Sequence, residues 1–175
     1  MKRDSITKQL LEDYYEIFNE EENLKDFNSY YKTLVQLIKK YPKDFSEKVK
    51  QRWGLTELLD LDLNKYIVDS PSICLKLEKN RLVRNYENID TLAMTIRDTL
   101  WDMITIYSRK NCPITQSDEL RYIKIIYNDD SEDILLECQG CGWTEHVNGD
   151  RYSGPVGKVI PGNEEEIRSY VKSYH

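Results

Sequence analysis

Six of the seven glycines fall between Gly140 and Gly162, and only Gly54 precedes them. Glycine is the residue that enters tight turns and left-handed backbone at no steric cost, so turn-rich structure is confined to the rear of the chain. The front must be built from long elements that need few turns. Its apolar residues agree. Ile6, Leu10, Tyr14 and Ile17 recur at helical spacing, and after the acidic break "NEEEN" a second stripe runs through Phe27, Tyr30, Tyr31, Leu34, Leu37, Ile38 and Tyr41. Pro42 stops it. "DFSEKVKQRWG" opens with Asp44 and Glu47 in capping-box spacing and closes at Gly54, and a short helical turn is expected over "TELLD". The strongest helix is expected at 86–109, where Ile89, Ala93, Ile96, Leu100, Met103 and Tyr107 form a stripe widened by Leu92, Trp101, Ile104 and Ile106. A stripe that wide packs on two sides.

The rear changes period. "LRYIKIIYNDDSEDILLEC" reads as two strands joined by the acidic turn "NDDSED", and "GWTEHVNGDRYSG" as a short hairpin turning at Asn148-Gly149. Asn163 caps a last helix whose first turn carries Glu164, Glu165 and Glu166, where the helix dipole favours acids. The expected fold class is α+β in one domain of 1–175. Residues 1–110 are mainly helical with a long central helix, and 111–175 form a small antiparallel β-meander with a C-terminal helix.

Charge is uneven along the 175 residues: 111–175 carry 12 acidic against 6 basic side chains, an excess equal to the net charge of the whole chain, -6. Such a region repels nucleic acid and attracts a basic partner. The basic run Lys76, Lys79, Arg81 and Arg84 lacks interleaved aromatics, so no direct nucleic-acid binding is expected. The sequence lacks an apolar run of membrane-spanning or leader length, which sets the expectation of a cytoplasmic protein with no membrane partner and with reduced cysteines. Tyrosine dominates the aromatics, 13 against 3 Phe and 3 Trp, and many are expected at the core margin.

The sharpest chemical motif is "CQGCG". Cys138 and Cys141 have the C-x2-C spacing of a zinc knuckle and His146 follows, but a closed structural site needs four ligands and no second pair is present. Cys74 and Cys112 stand alone in sequence. A redox dithiol needs a helix N-terminus, and here a strand precedes the pair. The expectation is no cofactor, with zinc on Cys138, Cys141 and His146 as the alternative. No phosphate loop or nucleophile motif is present, and the paired carboxylates sit in polar turns that would not raise a pKa, so no enzyme is expected. The hairpin tip is different: Asp129, Asp130, Glu132 and Asp133 make a compact acidic feature suited to a lysine-rich surface.

The ending "LLECQGCGWTEHVNGDRYSGPVGKVIP", about residues 133–161, resembles the C-terminal part of bacterial toxin-immunity proteins, the cognate inhibitors of contact-dependent and related polymorphic toxins. The resemblance lies in the succession of strand, cysteine turn, short hairpin and glycine-proline loop. It implies a non-enzymatic protein that binds one toxin domain tightly. An acidic inhibitor suits a basic nuclease-type toxin, steered by the four hairpin acids and anchored by aromatics such as Trp143 and Tyr152, with Tyr127 nearby. The rival expectation is a zinc-stabilised regulatory or nucleic-acid-associated module.

Overall fold

The structure, a computed structural model, describes residues 6–19, 27–66 and 86–173. Of these, the residues up to Leu63 and from Tyr86 to Met103 make one compact unit, and Asn64 to Tyr66 with Ile104 to Ser173 make a second. Cys74, His175 and the basic run Lys76, Lys79, Arg81 and Arg84 lie outside the described residues.

The first unit is helical: α1 (Lys8–Asn19), α2 (Phe27–Lys40), α3 (Glu47–Arg52), α4 (Leu55–Leu59) and α5 (Ile89–Met103). The stripes read from sequence are the buried faces. Leu10, Tyr14 and Ile17 of α1 and Tyr30, Tyr31, Leu34, Leu37 and Ile38 of α2 are all buried, as are Ile89, Leu92, Ala93, Ile96, Leu100, Trp101 and Met103 of α5. Burial on both flanks of α5 is what its wide stripe requires. Tyr14, Tyr30 and Tyr31 lie deep in the core rather than at its margin. Tyr14 and Tyr86 share a hydroxyl hydrogen bond of 3.2 Å, and the Tyr31 hydroxyl donates to the Leu58 carbonyl at 2.7 Å. These partners satisfy the polar tips that burial takes from water, and burial pushes the Tyr14 and Tyr30 hydroxyls well above their ordinary pKa.

Two local expectations are corrected. Ser46, not Asp44, caps α3, its hydroxyl accepting from the Val49 N–H; Asp44 instead accepts from the Thr7 N–H. The long helix ends at Met103, six residues before the expected end at 109. The β-branched run Ile104-Thr105-Ile106 disfavours a further helical turn, and the chain turns at Ile104 and enters a strand at Tyr107.

The second unit is a five-stranded antiparallel sheet with one helix: β1 (Tyr107–Asn111), β2 (Glu119–Ile126), β3 (Glu132–Glu137), β4 (Thr144–His146), β5 (Lys158–Pro161) and α6 (Glu164–Ser173). Strand β2 is its centre. One edge pairs with β3 in the register Arg121↔Glu137 to Ile126↔Glu132. The other edge is shared, β1 taking the stretch from Glu119 to Arg121 and β5 the stretch from Ile123 to Ile126. Strand β5 lies where a glycine-proline loop was expected. The cap of α6 is as read: Asn163 Oδ1 accepts from the Glu166 N–H, and Glu166 Oε2 accepts in return from the Asn163 N–H. Lys124 is buried in the sheet and bonds both Glu132 and Glu166, so α6 is tied to the hairpin by charge. The helices and the antiparallel sheet make the class α+β. Among the described residues no helix is long and apolar enough to cross a membrane.

Candidate functional site

Two turns at one end of the sheet carry three cysteines. The first follows β1 and runs Cys112-Pro113-Ile114-Thr115-Gln116; the second follows β3 and runs Cys138-Gln139-Gly140-Cys141-Gly142. They have the same construction. In each, the carbonyl of the first residue accepts from the N–H four residues on, Gln116 to Cys112 and Gly142 to Cys138, both at 2.9 Å. In each, that fifth residue is left-handed, with φ 59° at Gln116 and 73° at Gly142. Glycine takes this conformation freely and Gln116 does so at a cost, so the first turn is held by its surroundings. The Cys112 N–H donates to the Asp118 carbonyl at 2.8 Å, and the Cys138 N–H to the Trp143 carbonyl at 2.8 Å.

The hairpin brings the turns together. Continuing the β2–β3 register past Arg121↔Glu137 sets Leu120 opposite Cys138 and Asp118 opposite Gly140. Cys112 and Cys138 are buried with Leu120 and Leu136 in one apolar cluster, against which Tyr122 and Trp143 pack. The Sγ atoms of Cys112, Cys138 and Cys141 lie within 4.8 Å of one another, the Cys112–Cys141 pair at 3.5 Å. All three are free thiols. Burial pushes the Cys112 thiol up, but the Thr115 and Ile114 N–H groups, the Thr115 hydroxyl and the Cys141 thiol outweigh it and bring it down to about 7. For Cys141 the Trp143 N–H acts downward, yet burial and the neighbouring sulfurs of Cys112 and Cys138 leave the thiol raised.

Cys112 is the member that sequence spacing missed, because it stands far from the pair in the chain. His146 is not in the group. It lies in β4, its Nδ1 3.9 Å from Asp133 Oδ2 and its ring edge against Tyr152. Asp118 Oδ2 accepts from the Cys138 thiol at 3.7 Å, but Asp118 is not among the groups that lie within 4.8 Å of one another.

The residues expected to meet a partner are divided. Trp143 is half-buried, held on one side by a 2.8 Å bond from its Nε1 to Glu145 and on the other by the Arg151 guanidinium, 5.1 Å from the ring. Trp143, Arg151 and Tyr152 line a concavity of about 300 Å³ floored by Ile123, Ile125 and Val159. Val156 stands at its rim, 93% exposed. The Tyr152 hydroxyl bonds Tyr127 at 2.8 Å, which joins this concavity to the base of the β2–β3 hairpin. At the hairpin tip Asp129 and Asp130 are exposed, Asp129 held below the usual carboxylate range chiefly by the Ser131 hydroxyl. Glu132, also exposed, pairs with Lys124, and half-buried Asp133 accepts from the Tyr170 hydroxyl. The acidity is also milder than the sequence division suggested. Lys65, Arg109 and Lys110 belong to this unit, which reduces the excess of negative charge from six to three.

No protein-family model matches the chain, and neither a curated protein nor a solved structure matches it.

Proposed function

We propose that the protein is a non-catalytic binding protein of the immunity kind, which neutralises a basic toxin domain in the cytoplasm by covering it with the second unit. The observation that carries this reading is the concavity flanked by Trp143, Arg151 and Tyr152. Tryptophan, tyrosine and arginine are the residue types that dominate binding energy in protein interfaces, and here they surround an apolar floor with Val156 exposed beside it. Exposed Asp129 and Asp130 supply the charge that draws in a basic partner. The likeness of residues 133–161 to immunity proteins points the same way.

The reading expects the gene beside this one to encode a large secreted protein, and the test uses the C-terminal domain of that protein. The chain is expected to co-purify with that domain. Replacing Asp129 and Asp130 by Lys leaves the internal partners of Glu132 and Asp133 untouched. It is expected to slow association at low salt while changing dissociation little. Trp143→Ala is expected to speed dissociation. Failure to co-purify, or an unchanged association rate at low salt, rejects the reading.

The second reading, a zinc-stabilised module, is favoured by the three-thiol cluster. A structural ion and a docking face are compatible, since the ion would stabilise the sheet on which the face is built.

A further inference from the structure

The two cysteine turns share a five-residue hydrogen-bonded loop with a left-handed last residue, although the Cys112 N–H closes on Asp118 and the Cys138 N–H on Trp143, one residue earlier in its turn. Superimposing their chain order sets Cys112 on Cys138, Gln116 on Gly142, and Thr115 on Cys141. Together they present four side chains to one point, of which three are thiols and the fourth is a hydroxyl. Thr115 Oγ1 lies 4.0 Å from Cys138 Sγ and also acts on the Cys112 thiol, as expected at that fourth corner. Tetrahedral zinc with Zn–S bonds near 2.3 Å places its sulfurs about 3.8 Å apart. The observed grouping, 3.5 Å for Cys112 and Cys141 and within 4.8 Å for all three, brackets that spacing without rearrangement of the backbone. The Ile114 N–H already points at Cys112 Sγ at 3.4 Å, the kind of bond that stabilises a thiolate.

We propose that the two turns form a zinc site in which the thiolates of Cys112, Cys138 and Cys141 are the protein's sulfur ligands and the Asp118 carboxylate is the oxygen donor at the corner beside Thr115. Threonine is a poor zinc ligand, whereas carboxylate oxygen is an accepted one. Asp118 Oδ2 stands 3.7 Å from Cys138 Sγ but outside the mutual grouping of the three sulfurs, so its side chain turns toward them when it binds the ion. Soft sulfur donors select zinc over magnesium or calcium. Each thiol that binds gives its proton to solvent, so uptake acidifies an unbuffered solution. The ion joins the β1–β2 connection to the β3–β4 connection, and its role is structural. Cys141, the exposed member, marks the side from which it enters.

Cobalt(II) titration of the full-length chain under reducing conditions tests the assignment, because thiolate-to-cobalt charge transfer counts sulfur ligands and zinc competition then gives affinity. Wild type is expected to bind about one equivalent with a three-thiolate spectrum. Thr115→Cys is expected to raise the charge-transfer intensity by about a third and to bind more tightly, by completing a four-thiolate set. Asp118→Asn is expected to weaken binding by about ten- to a hundredfold. Cys141→Ser, at an exposed position, is expected to keep the fold by far-ultraviolet circular dichroism and to lose the three-thiolate spectrum. His146→Ala is expected to change nothing. Absence of the charge-transfer band in folded wild type overturns the site, and so does loss of the band in His146→Ala with retention in Cys141→Ser. A Thr115→Cys spectrum identical to wild type overturns the correspondence of Thr115 with Cys141, and an unchanged Asp118→Asn affinity overturns the oxygen donor.

Discussion

Removing the Glu145 carboxylate is a sharp test of how the second unit is held. Glu145 is 2% exposed, and two donors meet its carboxylate: Lys110 Nζ at 2.5 Å on Oε1 and Trp143 Nε1 at 2.8 Å on Oε2. It therefore ties β1 to β4 and fixes the indole that flanks the concavity. Truncating one member of a fully buried ion pair costs about 3–5 kcal/mol, because the other is stranded without water. Here the Lys110 side chain is 45% exposed and rehydrates when the carboxylate leaves. The loss reduces to two hydrogen bonds to a charged group with some solvent compensation, about 2–3 kcal/mol for Glu145→Ala. Glu145→Gln keeps an acceptor for Trp143 and gives up the ion pair, so its cost is about 1 kcal/mol. Urea denaturation of the unit, read as a shift of midpoint at constant slope, measures both. Equal costs for the two variants would refute the role given to the Trp143 bond. A Glu145→Ala cost below about 0.5 kcal/mol would refute the whole account of the pair.

Three further outcomes follow from named contacts. Hydrogen bonds from Lys40, Tyr41 and Gln9 pull the Asp13 carboxyl down to about 2, so its contribution is complete above the unfolded value of about 3.9 and is lost as pH falls through about 2; an acid titration of stability should lose slope in that interval in Asp13→Asn, and an unchanged slope contradicts the assignment. A Cβ on Gly157 would stand 2.5 Å from the Ile126 carbonyl oxygen and 2.6 Å from Ile125 Cγ2, so Gly157→Ala must push β5 off β2 at about 1–3 kcal/mol, seen as lower Tm and faster amide exchange in β5. Leu100 is wholly buried in α5, and Leu100→Ala should cost about 2–5 kcal/mol in thermal unfolding.

How much of this the sequence discloses depends on the range of the interaction. Helical stripes are local, so the buried faces of α1, α2 and α5 could be read from spacing alone. The β2–β3 hairpin was legible for the same reason, its acidic tip marking the turn between two apolar runs. The end of α5 was not, because the stripe continues through Ile104 and Tyr107 and only strand pairing decides that this stretch is extended. Strand β5 was hidden by glycine and proline, residues that usually mark loops, whereas here β2 supplies its partner. The thiol site shows the same limit. C-x2-C is a local pattern and was visible, but Cys112 joins it only through the hairpin register and the turn from Cys112 to Asp118. A signal was present: "CPITQ" and "CQGCG" both place a cysteine at the first position of a five-residue turn after a strand. His146, with four residues between it and Cys141, was the nearer candidate in sequence, and the β3–β4 pairing carries it to Leu135 instead.

The most direct test of the proposal that Cys112, Cys138 and Cys141 hold a metal ion in the second unit is the metal content of the native chain. The protein is purified from cells without added metal and without chelator, and its zinc is measured by plasma mass spectrometry against protein concentration from amino-acid analysis. The account predicts about one zinc per chain, released when the thiols are titrated with a mercurial. A ratio below about half a zinc per chain, with Cys112, Cys138 and Cys141 all reactive at once, contradicts it.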